Sequence, residues 1–495
     1  MRLVTNQPIL REELADVVRL FFGLEPVAIV SPEAPDTGEG TTALFVVERG
    51  GFWYMTASLR LPGEDETIRV LEAPAQTGGD VLRKRMMRRY AKLCLYRLLK
   101  ERTGAAPPWG SLTGIRPTRL LRQLMEEGRT REQAHEYFTG TLDVSAEKAA
   151  LATEILDAQQ GYIRFRDDSS VDVYVGITFC RTRCLYCSFI SVDLSKTNRW
   201  VDEYVEALLR ELEDGAALLR EMGRTVRAVY VGGGTPTAIG KQHLQAVLER
   251  IRSCWDGQYE FTVEAGRPDS LDADMLAMIA GCGVGRISIN PQTMSDATLR
   301  RVGRGHTSED VLRAMDAAAH IPFAAINMDL IMGLPGEGEE EAARTLHIVS
   351  GLPIHNLTVH TLAVKRSSAL HETLSEFSLP DAATVEACIA LSRRTAVSMG
   401  MIPYYLYRQK YMTGNLENVG YTLPDRQCLY NIDMMEETHS VAAFGAGGIS
   451  RRMDFSRSVH ERLANPKGVP HYIERIDAAI EKKRVFFINR TNRRK

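Results

Sequence analysis

Three cysteines on one short stretch are the residues of this sequence best suited to chemistry. Cys180, Cys184 and Cys187 are spaced CxxxCxxC, directly after an apolar run that is typical of a β-strand. Three thiolates on one loop can hold three irons of a [4Fe–4S] cluster and leave the fourth iron open to a ligand. CxxC is also a zinc spacing, but a closed zinc site needs four ligands, and no further Cys or His lies nearby in sequence. The loop therefore favours the cluster and leaves zinc as the alternative.

The length and the amino-acid composition of the chain are those of an ordinary globular protein. The chain has 495 residues, of which 44% are hydrophobic and 25% charged, and this length suggests two to four domains. The net charge of -2 gives no overall field that would attract nucleic acid. The first residues lack the apolar core of a signal peptide, and no apolar run is long enough to cross a bilayer. We therefore expect a cytoplasmic protein without a membrane span.

The remaining cysteines do not form a disulfide framework in so long a chain. We expect most of them to be small buried hydrophobic residues, with Cys428 the one candidate for a reactive thiol. They are Cys94, Cys254, Cys282, Cys388 and Cys428.

The elements that position the cysteine loop belong to a strand–helix alternation that starts at Val171. Six predicted strands alternate with amphipathic helices, which indicates a parallel sheet covered by helices. Six units, rather than the eight of a closed barrel, predict an open partial barrel with its chemistry at the C-terminal ends of the strands. The predicted fold is therefore α/β, a partial (β/α)6 barrel.

Two further regions flank this barrel, and we predict three domains. Residues 1–165 form an α+β domain of unknown role, residues 166–364 the barrel, and residues 365–495 a C-terminal α/β extension that covers the substrate. The first region holds a helix, two strands joined near Gly50–Gly51, and a basic helix from about Arg83 to Arg102. The basic helix could meet RNA, but a solvated helix face is the favoured interpretation at this net charge.

Polar residues and glycines follow nearly every predicted barrel strand. GGGTPT after the second strand would present bare backbone N–H and C=O groups to a small polar ligand. Glu264 after the third strand suits ribose hydroxyls, and Arg304 is a natural fork for a carboxylate. Because these strand ends meet at the rim that bears the cysteines, they predict one shared site.

Six motifs resemble those of the radical S-adenosylmethionine (SAM) superfamily, and within it the family of oxygen-independent coproporphyrinogen III dehydrogenase and its haem-chaperone relatives. They are CRTRCLYC, GGGTPT, FTVEA, SINPQT, RVGRGH and DLIMGLPGE, which run in family order. AFGAGGIS resembles the family's later glycine motif, and the first region and the tail are similar to the HemZ-type branch. Beside this set of motifs the zinc alternative falls away.

The resemblance implies a role for each site residue. Cys180, Cys184 and Cys187 would bind three irons, and the open iron would hold the amino and carboxylate groups of SAM. Residues that match positions around this SAM are Tyr174, Gly233, Gly234, Thr235 and Glu264. In the dehydrogenase a second SAM lies beside the first, and residues that match its side are Tyr186, Gln292, Arg304, Asp329 and Ala363.

The resemblance also implies an oxidoreductase of haem biosynthesis. A radical derived from SAM would remove hydrogen from two propionates of coproporphyrinogen III, which lose carbon dioxide and become the vinyl groups of protoporphyrinogen IX. The implied partners are this tetrapyrrole and a small electron donor such as flavodoxin or ferredoxin, and nucleic acid is not expected.

One departure leaves the substrate open. The dehydrogenase has a fourth cysteine two residues after the third, where this chain has Phe189, and the chaperone branch also lacks that cysteine. The alternatives are a haem-binding chaperone, a radical SAM enzyme that methylates haem or opens its ring, and an RNA-modifying enzyme. An RNA-modifying role would rest only on the basic helix. Arg366, Tyr404, Tyr405, Tyr407, Arg408 and Lys410 could contact a macrocycle or simply pack the C-terminal region.

Overall fold

The computed structural model describes residues 1–23, 27–33, 37, 39–75, 79–114, 116–163, 167–454 and 459–488. Two compact units divide the chain: Met1–Thr153 with Arg408–Glu417, and Glu154–Tyr407 with Asn418–Lys495. In the described part of the chain, no helix combines the length and the apolar character that crossing a membrane requires.

The first unit is built on a five-stranded sheet in the order β2-β1-β3-β4-β5. Its strands are β1 (Arg2–Thr5), β2 (Ala28–Val30), β3 (Thr41–Arg49), β4 (Phe52–Arg60) and β5 (Thr67–Pro74). The predicted hairpin is confirmed, because β3 pairs antiparallel with β4. Gly50 and Gly51 form its two-residue turn with φ of 58° and 79°, which residues other than glycine rarely adopt.

Helices complete the first unit. The helices up to residue 158 are α1 (Arg11–Phe22), α2 (Asp80–Thr103), α3 (Pro117–Glu126), α4 (Arg131–Glu136) and α5 (Ala146–Ala158). The long basic helix α2 buries one face, including Ala91, Cys94 and Leu98, against the sheet. Several of its cations are paired within the unit, as in the contacts of Arg88 and Lys92 with Glu13. These pairs favour the solvated-face interpretation of the basic helix over an RNA surface.

The second unit contains an eleven-stranded sheet in the order β14-β15-β13-β12-β11-β10-β9-β6-β16-β17-β18. Its strands before residue 365 are β6 (Ser170–Ile177), β9 (Thr225–Gly233), β10 (Glu260–Gly266), β11 (Arg286–Ile289), β12 (Ala325–Met332) and β13 (Asn356–Thr361). The later ones are β14 (Ile402–Tyr407), β15 (Asn418–Thr422), β16 (Ser440–Phe444), β17 (Ile449–Asp454) and β18 (Val459–Ala464). A separate short pair, β7 (Phe179–Cys180) and β8 (Val192–Asp193), lies in the cysteine loop.

The six predicted barrel strands are neighbours in chain order and pair in parallel. The predicted partial barrel of parallel strands is confirmed. The sequence did not predict a seventh parallel strand, β16, which pairs with β6 from Ser440↔Val171 to Phe444↔Val175. Antiparallel strands then extend both edges, with β15 beside β13 and β17 beside β16.

Helices lie between the parallel strands in sequence. They are α6 (Val201–Glu221), α7 (Lys241–Cys254), α8 (Ala273–Gly281), α9 (Asp296–Arg301), α10 (Ser308–Ala319) and α11 (Glu339–Ser350). The later helices are α12 (Ala369–Glu372), α13 (Ala382–Ser398), α14 (Leu429–Glu436), α15 (Val469–Glu474) and α16 (Ile476–Ile488). The predicted apolar stripe of α6 is buried, as Tyr204, Leu208 and Leu212 show. The predicted three-domain division stays a prediction about which segments fold independently.

Candidate active site

The cysteine loop follows β6 and carries three half-buried thiols. The N–H of Cys187 donates to the carbonyl of Cys184 at 3.1 Å, and that of Leu194 donates to the carbonyl of Cys180 at 2.9 Å. Burial raises the pKa of the Cys187 thiol to about 11 and raises that of Cys180 as well. Thiolates at Cys180 and Cys187 therefore need a positively charged partner, which the irons of a cluster would supply. The donor set fits a cluster held by three sulfurs.

Arg304 joins two residues that the sequence predicted for the site. Its Nη1 lies 3.7 Å from Sγ of Cys184 and donates to the hydroxyl of Tyr186 at 3.1 Å. Its Nη2 donates to the carbonyl of Asn290 at 2.6 Å, at the end of β11. The guanidinium of Arg304 thus places a positive charge beside the Cys184 sulfur.

The glycine loop after β9 packs directly against the strand that carries Cys180. The N–H groups of Gly234 and Thr235 donate to the carbonyls of Ile177 and Phe179, at 2.8 and 2.6 Å. The sequence predicted N–H groups available to a ligand here, but at Gly234 and Thr235 these groups already donate to backbone carbonyls. The expectation is wrong at these two positions. A Cβ on Gly234 would lie 2.4 Å from the Phe179 carbonyl oxygen, so close backbone packing explains this glycine. The hydroxyl of Thr235 lies 3.6 Å from Sγ of Cys180.

Glu264, on β10, lies beside an aromatic group. It accepts a hydrogen bond from the hydroxyl of Tyr230 at 2.7 Å. Desolvation raises the pKa of Glu264 to about 7, against the lowering effect of the Tyr230 hydrogen bond. The rings of Tyr174 and Tyr430 stack at 6.4 Å, and those of Tyr430 and Tyr230 at 4.6 Å. Ring stacking and one hydrogen bond thus link Tyr174 to Glu264 through Tyr430 and Tyr230.

Gln292, which follows β11, and Asp329, which lies within β12, are joined by their backbones. The N–H of Gln292 donates to the carbonyl of Asp329 at 3.0 Å. Gln292 has a φ of 70°, an unusual value for a side-chain-bearing residue, and its buried Oε1 has no hydrogen-bond partner within the described structure. A polar atom buried without a partner suits a ligand that donates to it.

A histidine adjoins this second group. Oδ2 of Asp329 lies 3.6 Å from Nε2 of His360, and Nδ1 of His360 lies 3.2 Å from the hydroxyl of Tyr407. Asn327 donates to Oδ1 of Asp329 at 2.7 Å. Ala363, the last predicted site residue, is half-buried two residues beyond β13 and is not part of the contacts above.

Sequence reasoning missed Arg267, which anchors the cysteine loop. Its Nη1 donates to the hydroxyl and the carbonyl of Thr182, at 2.7 and 3.1 Å, between the first two cysteines. Its Nε and Nη2 bind Asp269 at 3.1 and 3.0 Å. Arg267 follows the third barrel strand, a position that could have marked it as a site candidate. Tyr430 carried no such signal, because it lies on α14, far along the chain.

Other candidates turn out to be structural. Cys428 is buried and donates from Sγ to Oε1 of Glu260 at 3.2 Å. Burial and that carboxylate raise the pKa of Cys428 well above its usual range, so the expectation of a reactive thiol is wrong. Tyr404 and Tyr405 are buried and belong to the packing of β14, whereas Tyr407 is half-buried beside His360.

A cysteine loop of this spacing, at the C-terminal ends of a partial parallel barrel, defines a radical SAM protein. The family model described as the radical SAM superfamily matches residues 174–349. Proteins of this superfamily use a [4Fe–4S] cluster and SAM, and these are the cofactors of this chain.

Within the superfamily the chain belongs to the HemN/HemZ family. It is 37% identical over 391 residues to the oxygen-independent coproporphyrinogen-III oxidase-like protein HemZ of Bacillus subtilis, covering 78% of each chain. It is 30% identical over 206 residues to the haem chaperone HemW of the same organism, covering 41% of this chain and 53% of that one.

A solved structure with a similar fold is among the matches. The coproporphyrinogen III oxidase HemN of Escherichia coli, a radical SAM enzyme, matches with a TM-score of 0.51 and 21% identity. The match covers 68% of this chain and 73% of that chain. At this identity the likeness concerns the fold alone.

Proposed function

We propose that this protein is a radical SAM oxidoreductase that acts on a tetrapyrrole, with coproporphyrinogen III as the simplest substrate. The observation that supports it best is that several residues predicted for two SAM positions contact the cysteine loop or one another. Arg304 contacts Cys184 and Tyr186, and Gln292 adjoins Asp329. The substrate class follows from the HemZ relative, whose likeness covers 78% of this chain.

The proposed roles of the chain's own residues follow from their chemistry. When bound, the reduced cluster and SAM supply a carbon radical that can remove hydrogen from a propionate side chain. Cys180, Cys184 and Cys187 hold the cluster, and Arg304 keeps positive charge beside it. Glu264 and Asp329 place two carboxyl groups where a cationic ligand with ribose hydroxyls would bind. The protein thus supplies position and electrostatics, while the cofactors carry the bond-breaking step.

Further SAM contacts are proposed from the match between this sequence and the family's motif positions. Gly233, Gly234 and Thr235 would line the methionine end of the first SAM, with Tyr174 beside it. Gln292, Tyr186 and Ala363 would lie on the side of a second SAM. Within the described residues, Oε1 of Gln292 is a buried acceptor without a hydrogen-bond donor.

An anaerobic assay tests the proposal. The reconstituted protein is incubated with SAM, a reductant such as reduced flavodoxin, and coproporphyrinogen III, and the tetrapyrrole is analysed by mass spectrometry. We expect 5′-deoxyadenosine together with a product that has lost two carboxyl groups. The Cys187→Ala variant is the control for cluster-independent change. If 5′-deoxyadenosine forms without any vinyl product, the substrate assignment is wrong.

A haem chaperone is the second candidate, favoured by the HemW relatives. The chain is 30% identical to HemW of Bacillus subtilis and 32% identical to HemW of Escherichia coli, each over about two fifths of its length. Stoichiometric haem binding by the reconstituted protein, with no SAM cleavage in the presence of tetrapyrrole, would support this function. Haem recovered with a methyl group or an opened ring would instead indicate other radical chemistry.

A further inference from the structure

Three buried side chains with metal-ligand chemistry form a cluster separate from the cysteine loop. Asp172, Asp433 and His439 are each 0% exposed. One ligand atom of each lies within 4.8 Å of those of the other two. They come from β6, from α14 and from the residue before β16, so the fold rather than the local sequence brings them together.

Asp172 is the member that requires explanation. Both of its carboxylate oxygens are buried, and neither has a hydrogen-bond partner in the described structure. An ionised carboxylate in such surroundings is strongly destabilised unless a positive charge or a donor meets it. One oxygen of this carboxylate lies near ligand atoms of the other two members, so a cation between them would neutralise its charge.

The other two members already have ligand-like spacing. Nδ1 of His439 lies 3.1 Å from Oδ1 of Asp433. That distance suits a hydrogen bond, and it also suits two ligands that share one metal at about 2.1 Å from each. The hydroxyl of Thr438 lies 3.0 Å from the same Nδ1 and adds a neutral oxygen next to the group.

Two neighbouring guanidiniums bind Asp433 and the backbone of the cluster. Nε of Arg227 donates to Oδ2 of Asp433 at 2.7 Å, on the oxygen away from His439. Nη2 of Arg451 donates to the backbone carbonyls of His439 and Asp433, at 3.2 and 3.4 Å. Neither guanidinium donates to Asp172, whose two oxygens have no hydrogen-bond partner in the described structure. The carboxylate of Asp172 is therefore the group that a further cation would neutralise.

We propose that Asp172, Asp433 and His439 bind one divalent metal ion. One imidazole and two carboxylates form a ligand set that suits Zn²⁺, Mn²⁺ or Fe²⁺. The ion would tie α14 and the start of β16 to β6. Because Tyr430 lies on α14, one turn before Asp433, the ion would also hold the tyrosine stack against Tyr174. Its role is structural, and it does not depend on the substrate of the enzyme.

Metal analysis in a cluster-free background tests this proposal. The full chain carrying Cys180→Ala, Cys184→Ala and Cys187→Ala is loaded separately with Zn²⁺, Mn²⁺ or Fe²⁺, passed over a chelating resin and analysed by mass spectrometry. We expect about one ion per chain, falling at least about tenfold with Asp172→Asn or His439→Gln. His306→Gln is the matched control, because it removes another buried histidine and should leave the metal content unchanged.

Thermal unfolding gives a second readout in the same background. Added metal should raise the Tm of the cluster-free parent, a chelator should reverse the rise, and Asp172→Asn should abolish it. No retained ion in the parent, or retention that survives both substitutions, would overturn the proposal. If Asp172 instead carries a proton, the parent binds no ion and Asp172→Asn keeps or raises the Tm, which also overturns it.

Discussion

Glu264 shows how one residue's surroundings set the conditions for binding. Its pKa is raised to about 7, chiefly by desolvation, so it loses its proton near neutral pH rather than in acid. SAM carries a positive charge on its sulfonium group, which a carboxylate attracts more strongly than a neutral carboxyl group does. Binding should therefore respond to this one titration.

We predict that the SAM affinity of the cluster-loaded protein rises several-fold between about pH 6 and pH 8. The sign follows because the raised pKa keeps Glu264 neutral below about 7 and charged above it. Glu264→Gln should give weaker binding with a flat pH profile. Equilibrium dialysis measures the affinities, and Glu340→Gln, at a side chain 87% exposed, is the control. An unchanged pH profile in Glu264→Gln would show that another group titrates.

At the scale of elements, the cysteine loop depends on neighbours that hold its backbone. Arg267 makes two hydrogen bonds to Thr182, whose hydroxyl in turn donates to the carbonyl of Gly303 at 3.0 Å. The loop is thus attached both to the end of β10 and to the segment that precedes Arg304. These attachments should limit how far the thiols move when the cluster changes its oxidation state.

We predict that Arg267→Met lowers the iron retained after reconstitution and gel filtration to about half or less, because the loop loses its buried donors. Arg267→Lys should recover part of the loss, since one cationic donor remains. The electron paramagnetic resonance signal of the reduced cluster should also change. Arg313→Met, at a side chain 65% exposed on α10, is the control. Full iron content and an unaltered signal in Arg267→Met would contradict the anchoring role.

The glycine loop yields a second prediction at this scale. Gly234→Ala would place a methyl group 2.4 Å from the Phe179 carbonyl oxygen, so the strand that carries Cys180 must shift. We expect a loss of about 1–3 kcal/mol in the free energy of unfolding, together with reduced cluster content. Gly281→Ala, at the end of α8 with open space around it, should be neutral or slightly stabilising. Denaturant unfolding measures both variants, and equal effects would show that Gly234 is not constrained by its packing.

At the scale of the whole molecule, the first compact unit is built from two separate segments of the chain. Residues 408–417, which lie between β14 and β15, belong to the first compact unit. Glu417 is 1% exposed there and accepts hydrogen bonds from Lys148 and from Trp109, each at 2.7 Å. A segment from late in the chain thus completes a unit that begins at the N-terminus.

We predict that Glu417→Ala destabilises this unit by about 3–5 kcal/mol, because it leaves the buried Lys148 ammonium and the Trp109 indole N–H without their acceptor. Lys148→Met combined with Glu417→Leu should recover much of the loss, since no unpaired charge then remains. Thermal unfolding followed by tryptophan fluorescence would measure the changes. Glu126→Ala, an exposed position on α3, serves as the control. Additive losses in the double variant would contradict the pairing.

Much of the fold could be inferred from the chain because the relevant signals are local. Alternating strand and helix patterns identified the six barrel strands, since each element buries its own periodic apolar face. The cysteine spacing and the polar residues after each strand predicted one shared site. The reason is that parallel strands end at the same edge of a sheet. Contacts such as Arg304 with Tyr186 agree with that inference.

Long-range pairing set the features that the sequence pattern did not reveal. The β16 strand lies beside β6 although nearly the whole barrel separates them along the chain. The same closure brings Tyr430 beside Tyr174, and His439 beside Asp172. A periodic sequence pattern does not reveal these long-range contacts. They depend on which distant segments bury apolar side chains together and pair their buried charges. The cysteine loop could therefore be recognised from its own residues, whereas the buried cluster of Asp172, Asp433 and His439 emerged only from the packed fold.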